Sequence, residues 1–352
     1  MDLYRIFKPV TFISRVFCLA PFAAVEDSGS TRYKLSTFWL LYSILGVCAA
    51  LISQITVFWI PLSFSDETVY NAFSQVGSAA TFVVTFVTQV LCLNNRKNVI
   101  RILDHVSVLD SEHSGARISY YRLYIVFIVQ IIFSIFSLET LGIMWLVSLD
   151  TNSIYILKLF YHSAVHNMCD VVLLLSDTQF IHFVLLLKYR FSVLNDTVIN
   201  FTVPSLYKTS RSHMIRAPAV DRSVNSSTSA VSSSITLLKS TLRKVCRHHD
   251  ALCDISESVN RTYSLQILLS VTVTCIEVLY MAYTFSAELS NPRSLNLFYS
   301  PQYFSVTALI GIFTVSSKVV LLVVVCNRAS HEVSGLHFWC LCVCFMNTWP
   351  TE

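Results

Sequence analysis

The sequence predicts an all-α, polytopic membrane helix bundle with six spanning helices and a cytoplasmic N-terminus. Three observations predict it. Of the 352 residues, 54% are apolar and only 13% charged, and the mean hydropathy is +0.60. A soluble domain carries about 25% charged residues, so this chain lacks the polar surface that keeps a globule dissolved. Six segments are long and apolar enough to cross a bilayer, and the Lys and Arg residues crowd to one side of them.

A hydrocarbon core about 30 Å thick needs about 20 apolar residues in helical form. Residues 35–60, 71–93, 123–147, 159–187, 263–287 and 303–326 meet that requirement, and the first two carry no charge. Helix is the expected form because lipid offers no partner to backbone N–H and C=O groups.

Orientation follows from the cations. The stretches before the first span, between the second and third, between the fourth and fifth, and after the sixth hold 22 Lys and Arg. The opposite side holds Lys158 and Arg293, and Lys318 lies within a span. The cation-rich side is the cytoplasm. Four Asn-x-Ser/Thr sequons, at Asn195, Asn200, Asn225 and Asn260, fall in the long inner loop and are expected to stay unglycosylated.

The organisation that results is a cytoplasmic N-terminal segment (1–34), spans one to four (35–187), a cytoplasmic loop (188–262), spans five and six (263–326) and a cytoplasmic tail (327–352). The stretch from Pro9 to Val25 reads as a short amphipathic segment, because Arg15 interrupts the apolar run that a secretion signal would need. Residues 223–234, more than half Ser, read as a flexible linker. Beyond them Leu238, Leu242, Val245, Leu252, Ile255 and Val259 return at helical spacing, so the fifth helix is expected to begin well inside the cytoplasm. The fourth is expected to continue past Lys188 through Leu194.

Ionisable groups inside a span cost about 2.5–3.5 kcal/mol each on insertion scales and face protein or water. Here they are Glu139, His162, His166, Asp170, Asp177, His182, Glu277 and Lys318. His162, His166 and Asp170 stand at i, i+4 and i+8 on one face of the fourth helix, in its outer half. Glu277, Tyr280 and Tyr283 occupy the middle to outer part of the fifth, and Trp145 the outer end of the third. These seven residues are the expected lining of a ligand pocket open to the outside. The rival reading of each is a hydrogen-bonded polar group or aromatic filler buried in the bundle. Lys318, nearer the inner end of its helix, is expected to snorkel or to pair with Asp177.

No metal or cofactor site is expected. The spacing of His162, His166 and Asp170 lacks a further ligand, and the Cys340, Cys342, Cys344 run lacks partners. With seven Gly in the chain and no nucleophile or phosphate-loop motif, no enzyme activity is expected, and no basic run suggests nucleic acid.

Four runs carry a resemblance to a known family: KPVTFISRVFCLAPF (8–22), KYRFSVLN (188–195), HDALCDISESVNRTYSLQ (249–266) and CNRASHE (326–332). Together they resemble insect gustatory receptors over roughly residues 1–332. The resemblance implies seven-helix chemosensory subunits that assemble as homo- or hetero-tetrameric, ligand-gated cation channels in the plasma membrane. It implies a small-molecule tastant as ligand, bound in the outer half of helices two to six, and a pore lined by the seventh helix. Residues 327–352 depart from that plan. They lack the family's Thr-Tyr, five residues, Gln-Phe motif, and their apolar core, 336–346, is about half a span. The expectation is a short form unable to make a pore alone. Its alternatives are a regulatory subunit associating with full-length receptors, a G-protein-coupled receptor, or a transporter.

Overall fold

The computed structural model describes residues 3–27, 30–59, 68–112, 153–214, 224–290 and 301–348. Helices α1 (Leu3–Val16), α2 (Thr37–Trp59), α3 (Thr68–Glu112), α4 (Ser153–Met214), α5 (Val224–Ser290) and α6 (Pro301–Thr348) account for nearly all of them. Between α1 and α2 lies an antiparallel hairpin, β1 (Phe22–Asp27) and β2 (Ser30–Leu35), in register from Phe22↔Leu35 to Asp27↔Ser30.

Five of these helices contain stretches long and apolar enough to cross a membrane: Thr37–Thr56, Gln75–Leu109, Ala164–Ile199, Arg243–Tyr283 and Leu309–Ser334. They match five of the six expected spans. The third expected span, at 123–147, lies outside the described residues, and Trp145 and Glu139 with it. The protein is a multi-pass membrane protein.

Two differences from the sequence reading have physical causes. The Ser-rich stretch expected to be a flexible linker is helical from Val224 onward. It contains neither Gly nor Pro, and Ser costs only about 0.5 kcal/mol per position relative to the best helix formers. The amphipathic N-terminal segment ends at Val16 rather than running to Val25, and the chain then turns into the hairpin.

The described residues form two compact units: Met1–His182 with Ser258–Val324, and Phe183–Glu257 with Val325–Glu352. In the second unit, Phe191, Leu194 and Val198 of α4 are buried, as are Val245, Leu252 and Ile255 of α5. The last three belong to the helical-period set read from the sequence. Phe191 meets His249 edge-on with ring centroids 6.0 Å apart. The Asn195 amide donates to the Glu332 carbonyl oxygen at 3.2 Å and to Glu332 Oε2 at 3.4 Å, tying α4 to α6.

In the first unit, α1 ends in a closed cap. Leu19 N–H donates to the Ser14 carbonyl (2.7 Å) and Cys18 N–H to that of Arg15 (3.0 Å), with Cys18 in the left-handed region at φ 64°. This is the paired bonding of a Schellman motif, a place that Gly usually fills. Cys18 holds it because its thiol sits in a notch on α2. A Cβ at Gly46 would collide with Cys18 Sγ. The buried setting pushes the Cys18 thiol pKa up, because the thiolate would lose its hydration. It also lowers that of the half-buried Arg15 guanidinium, whose Nε donates to the Phe22 carbonyl at 2.6 Å.

Candidate functional site

The buried faces of α3, α4, α5 and α6 carry the polar groups that lipid would penalise, and they meet in the first unit. His166 Nδ1 lies 3.2 Å from Asp170 Oδ2, one turn along α4. Thr81 Oγ1 of α3 donates to Glu277 Oε1 of α5 at 3.1 Å. Asp170, His166 and Lys318 all lie within electrostatic reach of Glu277. Phe82, one residue beyond Thr81, sets its ring tilted against His166 at 6.3 Å.

Further along α4, the Lys318 ammonium of α6 is 2.8 Å from Asp177 Oδ2. Ser270 Oγ of α5 donates to the same oxygen, also at 2.8 Å. One carboxylate oxygen thus joins three helices. Asp177 is 3% exposed, and its Oδ1 has no hydrogen-bond partner among the described residues. The pairing expected between Lys318 and Asp177 is the one observed.

Of the seven residues predicted to line a pocket, the structure brings His166, Asp170 and Glu277 together. His162 lies one turn before His166 on α4, and its side chain is outside the described set, as is the whole of Trp145. Tyr280 is half-buried on α5, whereas Tyr283 is 38% exposed and turns toward the outer surface of the unit. Thr81, Phe82, Ser270 and Gln54 also belong to the cluster, the last donating from α2 to Cys169 Sγ at 3.3 Å. Small polar residues in apolar runs are ordinary, so the sequence offered no signal that singled these out.

A second polar layer closes the other end of the unit. Gln179 of α4 donates through Nε2 to Ser14 Oγ of α1 (2.7 Å) and accepts from the Tyr263 hydroxyl of α5 (3.4 Å). Gln266 donates to the Thr88 carbonyl (3.2 Å) and Cys92 Sγ (3.0 Å), and the Asn95 amide to the Thr262 carbonyl (3.0 Å). Cys92, Asn95, Gln179, Thr262, Tyr263 and Gln266, with Leu19 and Phe22, border a small cleft. Ser14, Tyr263 and Gln266 are almost wholly buried, so the layer fastens α1 to α4 and α5.

Chemically, the α3–α6 cluster holds three carboxylates against one Lys and one His. It can accept hydrogen bonds from, or attract, groups entering the bundle. Among the described residues no group of three or more His, Cys, Asp or Glu is arranged to hold a metal ion.

A search among curated proteins returns no match. The family model described as 7tm Chemosensory receptor matches residues 7–346, nearly the whole chain and fourteen residues past Glu332. That description agrees with the helix-bundle architecture and with the resemblance to insect gustatory receptors. It is not an enzyme family. With the matched residues running from α1 through α6, the chain belongs to the 7tm chemosensory receptor family.

Proposed function

We propose that this receptor is a subunit of a ligand-gated cation channel of the plasma membrane, and that it detects a small-molecule tastant through the α3–α6 cluster. The observation that carries this is the convergence of His166–Asp170, Thr81–Glu277 and Asp177–Lys318 across four helices. Charged groups inside a bundle are costly and mark ligand or ion paths. Thr81–Glu277 and Asp177–Lys318 are also ties between helices. A ligand hydroxyl or amine that bonds Glu277 competes with the bond from α3 to α5, and one that bonds Asp170 competes with its His166 pair within α4. Binding therefore changes the relative stability of two arrangements of the bundle, which is what a gating ligand must do. His162, Tyr280, Tyr283 and Trp145 are proposed as flanking contacts of the same ligand.

The proposed assembly is a tetramer containing other receptor subunits. The test is cation current in cells expressing the chain together with a seven-helix member of the family, across a panel of sugars and bitter compounds. The reading expects a ligand response that requires this chain. Glu277→Gln and Asp170→Asn are expected to shift the half-maximal ligand concentration at least tenfold while surface expression holds. An unchanged concentration dependence in both variants would overturn the pocket assignment.

A further inference from the structure

Helix α1 has two unlike faces. Val10, Thr11 and Ser14 are buried, and Val10 packs with Leu19, Cys92, Val172 and Leu175. On the other side Phe12 is 59% and Val16 47% exposed. Lys8 precedes Phe12 by four residues and Arg5 precedes it by seven, spacings that return to one face of a helix. From Leu3 to Val25 there is no Asp or Glu. By helical spacing, the face that carries the exposed Phe12 and Val16 also has Arg5 and Lys8 among its positions and no acid, a composition at odds with a helix that merely meets water.

The position of α1 is fixed against the first span. The Tyr42 hydroxyl donates to the Val16 carbonyl at 3.0 Å. Tyr42 is five residues into α2, about 8 Å along its axis, and helical side chains lean back toward the N-terminus. Val16 therefore sits beside the first two turns of α2. At that same end Phe38 and Leu41 are exposed, on a span whose most apolar window is only 17% buried in protein. Phe12 and Val16 extend this lipid-facing surface.

We propose that α1 is an interfacial helix that binds the anionic surface of the leaflet at the N-terminal end of the first span. Phe12 and Val16 enter the acyl boundary, and Arg5 and Lys8 engage lipid phosphate and carboxylate groups. Interfacial helices bury their apolar side roughly 5–10 Å into the headgroup and acyl boundary, and the Tyr42 bond holds Val16 beside the N-terminal turns of the first span. Arg15 is assigned elsewhere, since it donates to Phe22 and lies 5.7 Å from the Trp39 ring centroid. Continuity with the first span favours lipid over a soluble protein, which would have to displace lipid from Phe38 to reach the same face.

The full chain in phosphatidylcholine nanodiscs, with and without phosphatidylserine, provides the test. A photoactivatable phosphatidylserine is expected to label the 3–16 stretch, and amide exchange there is expected to slow several-fold when phosphatidylserine is present. Phe12→Glu is expected to cut labelling several-fold, as is the Arg5→Gln, Lys8→Gln double variant, with the thermal midpoint unchanged in each. Should Phe12→Glu lower the midpoint, the double variant decides. Labelling that neither variant alters, no labelling of the native chain, or protection of 3–16 that appears only on self-association would each overturn the proposal. Neither readout depends on channel activity.

Discussion

The spans within α2 and α4 have nearly equal hydropathy yet opposite surroundings. The most apolar window of Thr37–Thr56 is 17% buried in protein, and that of Ala164–Ile199 is 72% buried. The ionisable residues separate them. The first span has none, while α4 carries His166, Asp170, Asp177 and His182 within about four turns. A charge inside a span turns to protein or water, and a helix that carries several of them needs protein on several sides. Hydropathy therefore shows that both segments cross the membrane, and between these two the ionisable residues mark the one that protein encloses.

That comparison can be broken first at Asp177. Asp177→Ala leaves the Lys318 ammonium buried without its carboxylate, and breaking a buried pair costs about 3–5 kcal/mol. A large drop in the detergent-solubilised melting midpoint is expected. The double variant Asp177→Leu, Lys318→Met is expected to recover most of the loss, since the pair contributes less than its isolated halves cost. A small effect in the single variant would mean that α4 is not held by this junction.

Next comes the layer that fastens α1 to α4. Gln179→Leu removes the acceptor for the Tyr263 hydroxyl and the donor to Ser14 Oγ inside a buried layer. The expected cost is about 1–3 kcal/mol, read as a lower midpoint and faster proteolysis of the N-terminal segment. An unchanged proteolysis rate would show that α1 is held without this layer, by the packing of Val10 and the Tyr42 bond.

A smaller effect is expected at the close approaches. At Gly46 an added methyl meets Cys18 Sγ, two bonds from a backbone held by the α1 cap, so Gly46→Ala is expected to cost about 1–3 kcal/mol. At Gly311 the obstacle is Met281 Sδ at 2.8 Å, the end of a flexible side chain that swings aside, so Gly311→Ala is expected to cost less. Midpoints of the two variants compared side by side check the order. The smallest change is chemical. The buried Cys18 thiol is expected to react slowly with maleimide in the native protein and faster in Gly46→Ala, followed by mass spectrometry of its peptide.

Much of the architecture was legible because lipid imposes a simple rule on the backbone and the cations mark one side. That α5 begins well before its expected span was legible from the period of Val245, Leu252, Ile255 and Val259. The hairpin was not recognised, although Ser28 and Gly29 are a two-residue turn signal between Phe22–Asp27 and Ser30–Leu35. In the site, His166, Asp170 and Glu277 were recoverable because a charge in a span is rare. Thr81 and Ser270 were not, since the hydroxyl that matters is set by which helix lies opposite, and helical spacing within one segment carries no information about its neighbour.

The Cys18 seat also governs how the receptor can be prepared for spectroscopic labelling, where native thiols must go. Cysteine replacement by Ser at this position would put a hydroxyl into the notch over Gly46 and keep a side chain on a backbone angle that disfavours one. Glycine relaxes the angle, worth on the order of 1 kcal/mol, but forfeits the sulfur that fills the notch. A cysteine-free receptor is therefore best built with Gly at residue 18 and Ala at residue 46, where the added methyl occupies the space the thiol vacates.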